Sequence, residues 1–226
     1  MNEIIVNLHQ SLCEAKSYQH NLKGQSLITA VVRKIAKDRF QQVKSMPKDD
    51  IFDLCEQLLN SGVWDKRTIA FEWAFRARKQ YTTHDFLRFE SWLDQYVDGW
   101  GSCDDFCTHA FGDLIFKFPE HLTRVKTWTK SANRWFRRGA AVVMIYGIRR
   151  EQGIGDSLEI ADLLLMDEDD LVQKGYGWML KEISNKDPQP VFEFVMQRKE
   201  RMPRTALRYA IEKLSPELRR QAMEIK

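Results

Sequence analysis

A chain of 226 residues with 43% hydrophobic side chains can bury a sizeable core, and its 30% charged residues supply a solvated surface. No apolar run approaches the roughly 20 residues needed to cross a bilayer, and Met1-Asn2-Glu3-Ile4-Ile5 lacks the basic start and apolar block of a signal peptide. A membrane protein and a secreted one are thus disfavoured, a cytoplasmic location is expected, and a net charge of +3 is too small to name a partner.

Helical periodicity runs from end to end. In Asp50-Ile51-Phe52-Asp53-Leu54-Cys55-Glu56-Gln57-Leu58-Leu59 the apolar residues recur at three- and four-residue intervals, as one face of a helix requires. Similar patterns predict helices near 3–20, 26–40, 65–80, 84–97, 102–117, 119–130, 133–149, 157–166, 168–184, 189–200, 203–214 and 216–225. Pro47, Gly62, Gly99 and Gly101, Pro119, Gly153 and Gly155, Pro188 and Pro190, Pro203 and Pro216 fall between them. Thr83 before Asp85, Ser102 before Asp104, and Ser215-Pro216-Glu217 have the chemistry of helix starts. No β pattern competes, so the expected class is all-α.

Short connections predict antiparallel neighbours. Paired helices give hairpins near 48–80, 84–117, 119–150, 157–184 and 189–214, between N-terminal helices in 1–45 and a last helix in 215–226. Hairpins of about 35 residues stack into a curved solenoid. The expectation is one domain of stacked helical hairpins over 1–226, monomeric, with a basic concave face.

A short pattern opens the second helix of each hairpin: a charged residue, then small or apolar ones. It reads Arg67-Thr68-Ile69-Ala70, Asp104-Asp105-Phe106-Cys107, Arg138-Gly139-Ala140-Ala141, Lys174-Gly175-Tyr176-Gly177 and Arg204-Thr205-Ala206-Leu207, with first residues 37, 34, 36 and 30 apart. Second helices usually line the inner curve, which would align four cations there with one aspartate among them. Arg137 adjoins this row. Charge is polarised in the same region: from Lys117 to Arg150 nine Lys/Arg face one acid, and from Glu151 to Gln173 there are eight acids and no base.

A basic face suits duplex DNA, because cations gain by replacing counterions at phosphates. Arg138 would hold a phosphate. Trp178 lies one turn from Lys174 on the same face, and Trp100 precedes Asp104 by four residues. Tryptophan faces can hold a deoxyribose and stabilise positive charge on it. Asp104 could stabilise an oxocarbenium-like transition state and orient or deprotonate water. One carboxylate suffices if the leaving base is already cationic, whereas ordinary glycosides use two. Plainer readings stand beside these. An aspartate near a helix start complements the macrodipole, Trp178 is suited to a core, and some of the clustered arginines are merely solvated. Trp64, Trp73, Trp92, Trp128 and Trp135 read as packing residues. Cys13, Cys55, Cys103 and Cys107 contain no CxxC pair, and Cys103 and Cys107 with His109 make a poor metal site. No metal or cofactor is expected.

Several of these segments, in order, resemble the HEAT-like repeat DNA alkylation repair proteins, the AlkD-type alkylpurine DNA glycosylases. They are Trp100-Gly101-Ser102-Cys103-Asp104, Phe111-Gly112-Asp113, Phe118-Pro119-Glu120, Trp135-Phe136-Arg137-Arg138-Gly139-Ala140 and Gln173-Lys174-Gly175-Tyr176-Gly177-Trp178. The resemblance covers about residues 60–214. It implies a C-shaped array clasping duplex DNA and removal of cationic N3- and N7-alkylpurines without full base flipping. By motif it makes Asp104 the catalytic aspartate, Trp100 and Trp178 the sugar-contacting tryptophans, and Arg138 the phosphate-contacting arginine. Arg67, Lys174, Arg137 and Arg204 are the further candidate DNA-binding cations.

Two departures bear on activity. Only 29 residues precede the family-like Ala30-Val31-Val32-Arg33-Lys34-Ile35-Ala36-Lys37, with a short linker at His20-Asn21-Leu22-Lys23-Gly24-Gln25, so a DNA-contacting N-terminal helix is expected to be missing. Gly101 stands where the family tends to have an acid. Sequence therefore leaves three readings: an alkylpurine glycosylase, a non-catalytic DNA-binding relative, and a protein-binding helical scaffold.

Overall fold

The computed structural model describes residues 3–18 and 27–224; the linker 20–25 lies outside them. Among the described residues there is no strand, and no helix is long and apolar enough to cross a membrane. The chain is all-α. Its residues cluster into two compact units, Met1–Asp85 and Phe86–Lys226.

The first unit holds α1 (Glu3–Tyr18), α2 (Thr29–Phe40), α3 (Lys48–Leu59) and α4 (Trp64–Arg76). The α3–α4 hairpin has the predicted apolar stripe: Ile51, Phe52, Cys55 and Leu58 are buried against Ile69, Ala70, Trp73 and Ala74. Trp73 also ties α4 to α2, donating its indole N–H to the Ala36 carbonyl at 2.9 Å. Asp65 in the first turn of α4 is buried, accepts from the Leu27 amide at 3.1 Å and pairs with Lys16 Nζ at 2.8 Å. These contacts hold α1 and the start of α2 onto α4.

The second unit continues with α5 (Asp85–Tyr96), α6 (Trp100–Thr108), α7 (Ala110–Lys117), α8 (Leu122–Thr127), α9 (Arg134–Val142), α10 (Ile145–Ile148), α11 (Ile154–Leu163), α12 (Asp170–Ser184), α13 (Pro188–Arg198), α14 (Arg204–Ala210) and α15 (Pro216–Met223). Two helices expected to be continuous are broken. The 102–117 helix divides at His109, whose φ of −122° and ψ of −91° leave the helical region. The Thr108 hydroxyl and His109 Nδ1 satisfy the Asp104 and Asp105 carbonyls at 2.7 and 2.9 Å, closing the end of α6. Gly112 then allows α7 to approach closely, since a Cβ there would lie 2.6 Å from both the Cys107 carbonyl oxygen and Tyr146 Cβ. The 133–149 helix likewise becomes α9 and α10. The 119–130 helix is α8 flanked by single 3₁₀ turns. Ser102, expected to cap its helix from outside, sits at the third helical position and accepts from the Gly99 amide at 3.3 Å.

Within this unit α6 packs on α9, α9 on α12, and α12 on α14, so the second helices of successive hairpins form one layer. Rings from Phe86, Phe89 and Trp92 meet Phe106 and Phe111 beneath it. Ion pairs recur at the repeat spacing. Glu90 pairs with Arg124, Glu159 with Lys126 and Asp162 with Arg198, at separations of 34, 33 and 36 residues. On the other side Asp104 pairs with Arg138, Arg149 with Glu182 and Lys181 with Glu212, at 34, 33 and 31. Each exposed pair contributes little alone, but together they favour one register between neighbours.

Candidate active site

Each motif residue falls at or near the first turn of its helix: Arg67 in α4, Asp104 in α6, Arg138 in α9, Lys174 in α12 and Arg204 in α14. Because α6, α9, α12 and α14 lie side by side, their equivalent turns converge. Within the second unit they shape an open pocket of about 440 Å³, lined by Trp100, Asp104, Arg138, Leu171, Lys174, Trp178, Lys181 and Tyr209.

Asp104 is held in place in its wall. Arg138 grips it with two parallel hydrogen bonds, Nε to Oδ1 and Nη2 to Oδ2, both 2.8 Å. This fork geometry is open to arginine and not to lysine. The remaining arm, Nη1, donates to the Leu171 carbonyl. Arg138 is only 5% exposed, and each of its three nitrogens donates a hydrogen bond within the protein. Arg138 orients the carboxylate, and it lines the pocket in which the expected phosphate contact would be made. Burial pushes the Asp104 carboxyl above its ordinary value, while the hydrogen bonds and charge of Arg138 oppose the rise. Gly175 makes room for the arginine, since a Cβ there would lie 3.1 Å from Arg138 Cγ.

Two indoles line the same pocket as the carboxylate. Trp100 opens α6, one turn before Asp104, and is 62% exposed. At that exposure it is not a core residue. Trp178 is half-buried and donates its N–H to Glu182 Oε1 at 2.8 Å. Lys174 and Lys181 lie on either side of Trp178 along α12. Their ion-pair partners, Asp170 at 2.5 Å and Glu212 at 3.1 Å, are well exposed and readily displaced by a stronger anion.

The other candidate cations go elsewhere. Arg67 belongs to the first unit and is 8% exposed, which leaves it little surface to offer a phosphate. Arg137 turns away from the pocket, pairing with Asp167 at 2.7 Å and donating to the Ser131 and Ala132 carbonyls. Arg204 is exposed but does not line the pocket. Sequence reasoning missed Lys181 and Tyr209. Lys181 was findable, three residues past Trp178 on the same helix face; Tyr209 depends on the packing of α14 against α12. Among the described residues no group of three or more His, Cys, Asp or Glu side chains is placed to hold a metal. Cys103 and Cys107 are buried behind Asp104, and the Cys103 contact and burial together push the Cys107 thiol well up.

A family model described as DNA alkylation repair enzyme matches residues 14–214. This chain belongs to the DNA alkylation repair enzyme family. Among solved structures it is similar to a predicted DNA alkylation repair enzyme from Enterococcus faecalis, with a TM-score of 0.75 and 17% identity, over 92% of this chain and 96% of that one. That likeness supports the fold. No curated protein matches. Family membership implies DNA as the substrate class.

Proposed function

We propose that this family member binds duplex DNA and hydrolyses the N-glycosidic bond of cationic N3- and N7-alkylpurines at Asp104. The observation that carries the reading is the carboxylate held in a bidentate grip in a pocket also lined by two indoles and two lysines. Trp100 and Trp178 would take the deoxyribose, their faces attracting the positive charge that develops on it. Lys174 and Lys181 would take the flanking phosphates, beside Arg138 as the expected phosphate-contacting arginine. As the glycosidic bond breaks, its electron pair moves onto the purine nitrogen and cancels the charge there, so the base leaves neutral without a general acid. Water adds to the sugar carbon and its proton passes to Asp104 or to solvent. Ionised Asp104 stabilises the oxocarbenium-like transition state.

The test is release of N7-methylguanine from duplex DNA under single-turnover conditions. Wild-type protein should release the base. Asp104→Asn keeps one acceptor for Arg138 but loses the charge, and should slow release at least ~100-fold, the size of a lost preorganised electrostatic contact, with DNA affinity retained. No release by saturating wild-type protein at low salt overturns the enzyme reading.

One observation favours a second reading, a DNA-binding relative without excision. Both oxygens of Asp104 are already engaged by Arg138, which weakens the carboxylate as a base. Salt-sensitive DNA binding without base release would support it.

A further inference from the structure

Two side chains outside the lining of the pocket, Glu182 and Arg149, form a connected set with Trp178. Glu182 follows Trp178 by one turn of α12, on the same face. Its Oε1 accepts the indole N–H at 2.8 Å. The same oxygen accepts from Arg149 Nη2 at 3.0 Å, and Oε2 accepts from Arg149 Nε at 3.3 Å. Arg149 comes from the preceding hairpin, just past α10, and its guanidinium carbon lies 5.9 Å from the centre of the Trp178 ring. The Glu182 side chain is 14% exposed and Arg149 45%. Neither lines the pocket.

We infer that Glu182 is a positioning residue for Trp178, fixing the plane and N–H edge of the indole that faces the pocket, and that Arg149 in turn fixes Glu182. The inference rests on the glycosylase reading of that pocket. A tryptophan side chain turns about two bonds, and packing alone leaves its terminal torsion broad. A hydrogen bond at the indole edge removes that freedom. An anion there also makes the ring face more negative, which strengthens its attraction for a developing cation. It offsets the opposing pull of the Arg149 charge nearby. Burial alone would raise the Glu182 carboxyl, but the hydrogen bonds from Arg149 and Trp178 outweigh it, so the group is held below its ordinary value and is ionised at neutral pH.

The experiment reads the Trp178 indole directly, by amide-type NMR of ¹⁵N-labelled full-length protein, with the signal assigned through Trp178→Phe. Glu182→Ala should shift the Trp178 indole N–H and speed its hydrogen exchange at least ~10-fold, while most of the six other indole signals of this seven-tryptophan chain stay in place. Glu182→Gln keeps an acceptor and should return the signal towards wild type. Arg149→Ala, which leaves the indole bond intact but frees its acceptor, should broaden it. In single-turnover base release Glu182→Ala should fall ~10-fold or more, as loss of an orienting contact does elsewhere, with DNA affinity within about threefold and Glu182→Gln largely rescued. An unmoved Trp178 signal in Glu182→Ala overturns the inference, as does a moved signal with an unchanged release rate. If the wild type releases no base, the glycosylase reading fails instead, and the indole signals alone decide whether Glu182 positions Trp178.

Discussion

Two glycines two residues apart on α12 give the same substitution opposite consequences. A Cβ on Gly177 would lie 2.7 Å from Tyr209 Cβ, 3.0 Å from the Ala206 carbonyl oxygen and 3.2 Å from Ala206 Cα. Carbon atoms in ordinary contact lie about 3.5–4.0 Å apart, so the methyl is roughly 1 Å too close, and most of what it meets is backbone or atoms bound to it. Gly177→Ala therefore obliges α12 and α14 to separate, at about 2–3 kcal/mol, the upper part of the range for overpacking because three atoms are met too closely. The better helix propensity of alanine returns up to about 1 kcal/mol. The net loss of about 1–2 kcal/mol corresponds to a fall in Tm of roughly 2–8 °C for a chain of this size. A Cβ on Gly175 instead meets the Arg138 side chain, at 3.1 Å from Cγ and 3.3 Å from Nη1. That side chain can yield by a few tenths of an ångström. Gly175→Ala should stay within about 1 kcal/mol of wild type yet disturb the grip on Asp104 and slow base release. Thermal unfolding followed by circular dichroism, beside single-turnover release, separates the two. A Gly177→Ala protein as stable as wild type would refute the reasoning, for it would mean that α12 and α14 are not in close backbone contact.

The remaining predictions concern charge. Loss of base release on acidification should track protonation of Asp104. Because burial raises that carboxyl and Arg138 opposes the rise, the acid limb of kcat/KM should have its midpoint above the ~3.9 of an exposed aspartate. Replacing Arg138 by Met should move it higher still; a midpoint at or below ~3.9 in the wild type would contradict the assignment. Lys174→Gln should weaken DNA binding across all sequences and lower the slope of log K against log salt by about 0.9, the contribution of one phosphate contact. Fluorescence anisotropy from about 50 to 200 mM salt measures this, and an unchanged slope would remove Lys174 from the interface.

The local chemistry of this protein is legible in its sequence. Apolar spacing alone predicts helices over nearly the whole chain, because a helix buries a stripe whose period is written in the residues themselves. The recurrence of a charged residue before small ones locates the turns that converge at the pocket, and Trp100, Asp104, Arg138, Lys174 and Trp178 all stand there. What a side chain meets across a helix interface is not written locally. That Arg138 holds Asp104 rather than offering its guanidinium to solvent depends on α6 and α9 packing side by side, with Gly175 of α12 leaving room. The break at His109, the burial of Arg67, the departure of Arg137 towards Asp167 and the arrival of Tyr209 are likewise decided by neighbours about 30 residues away or by packing within each unit. A period of charge can say which positions are equivalent; only the packed helices decide which of them pair, which are buried and which face the pocket.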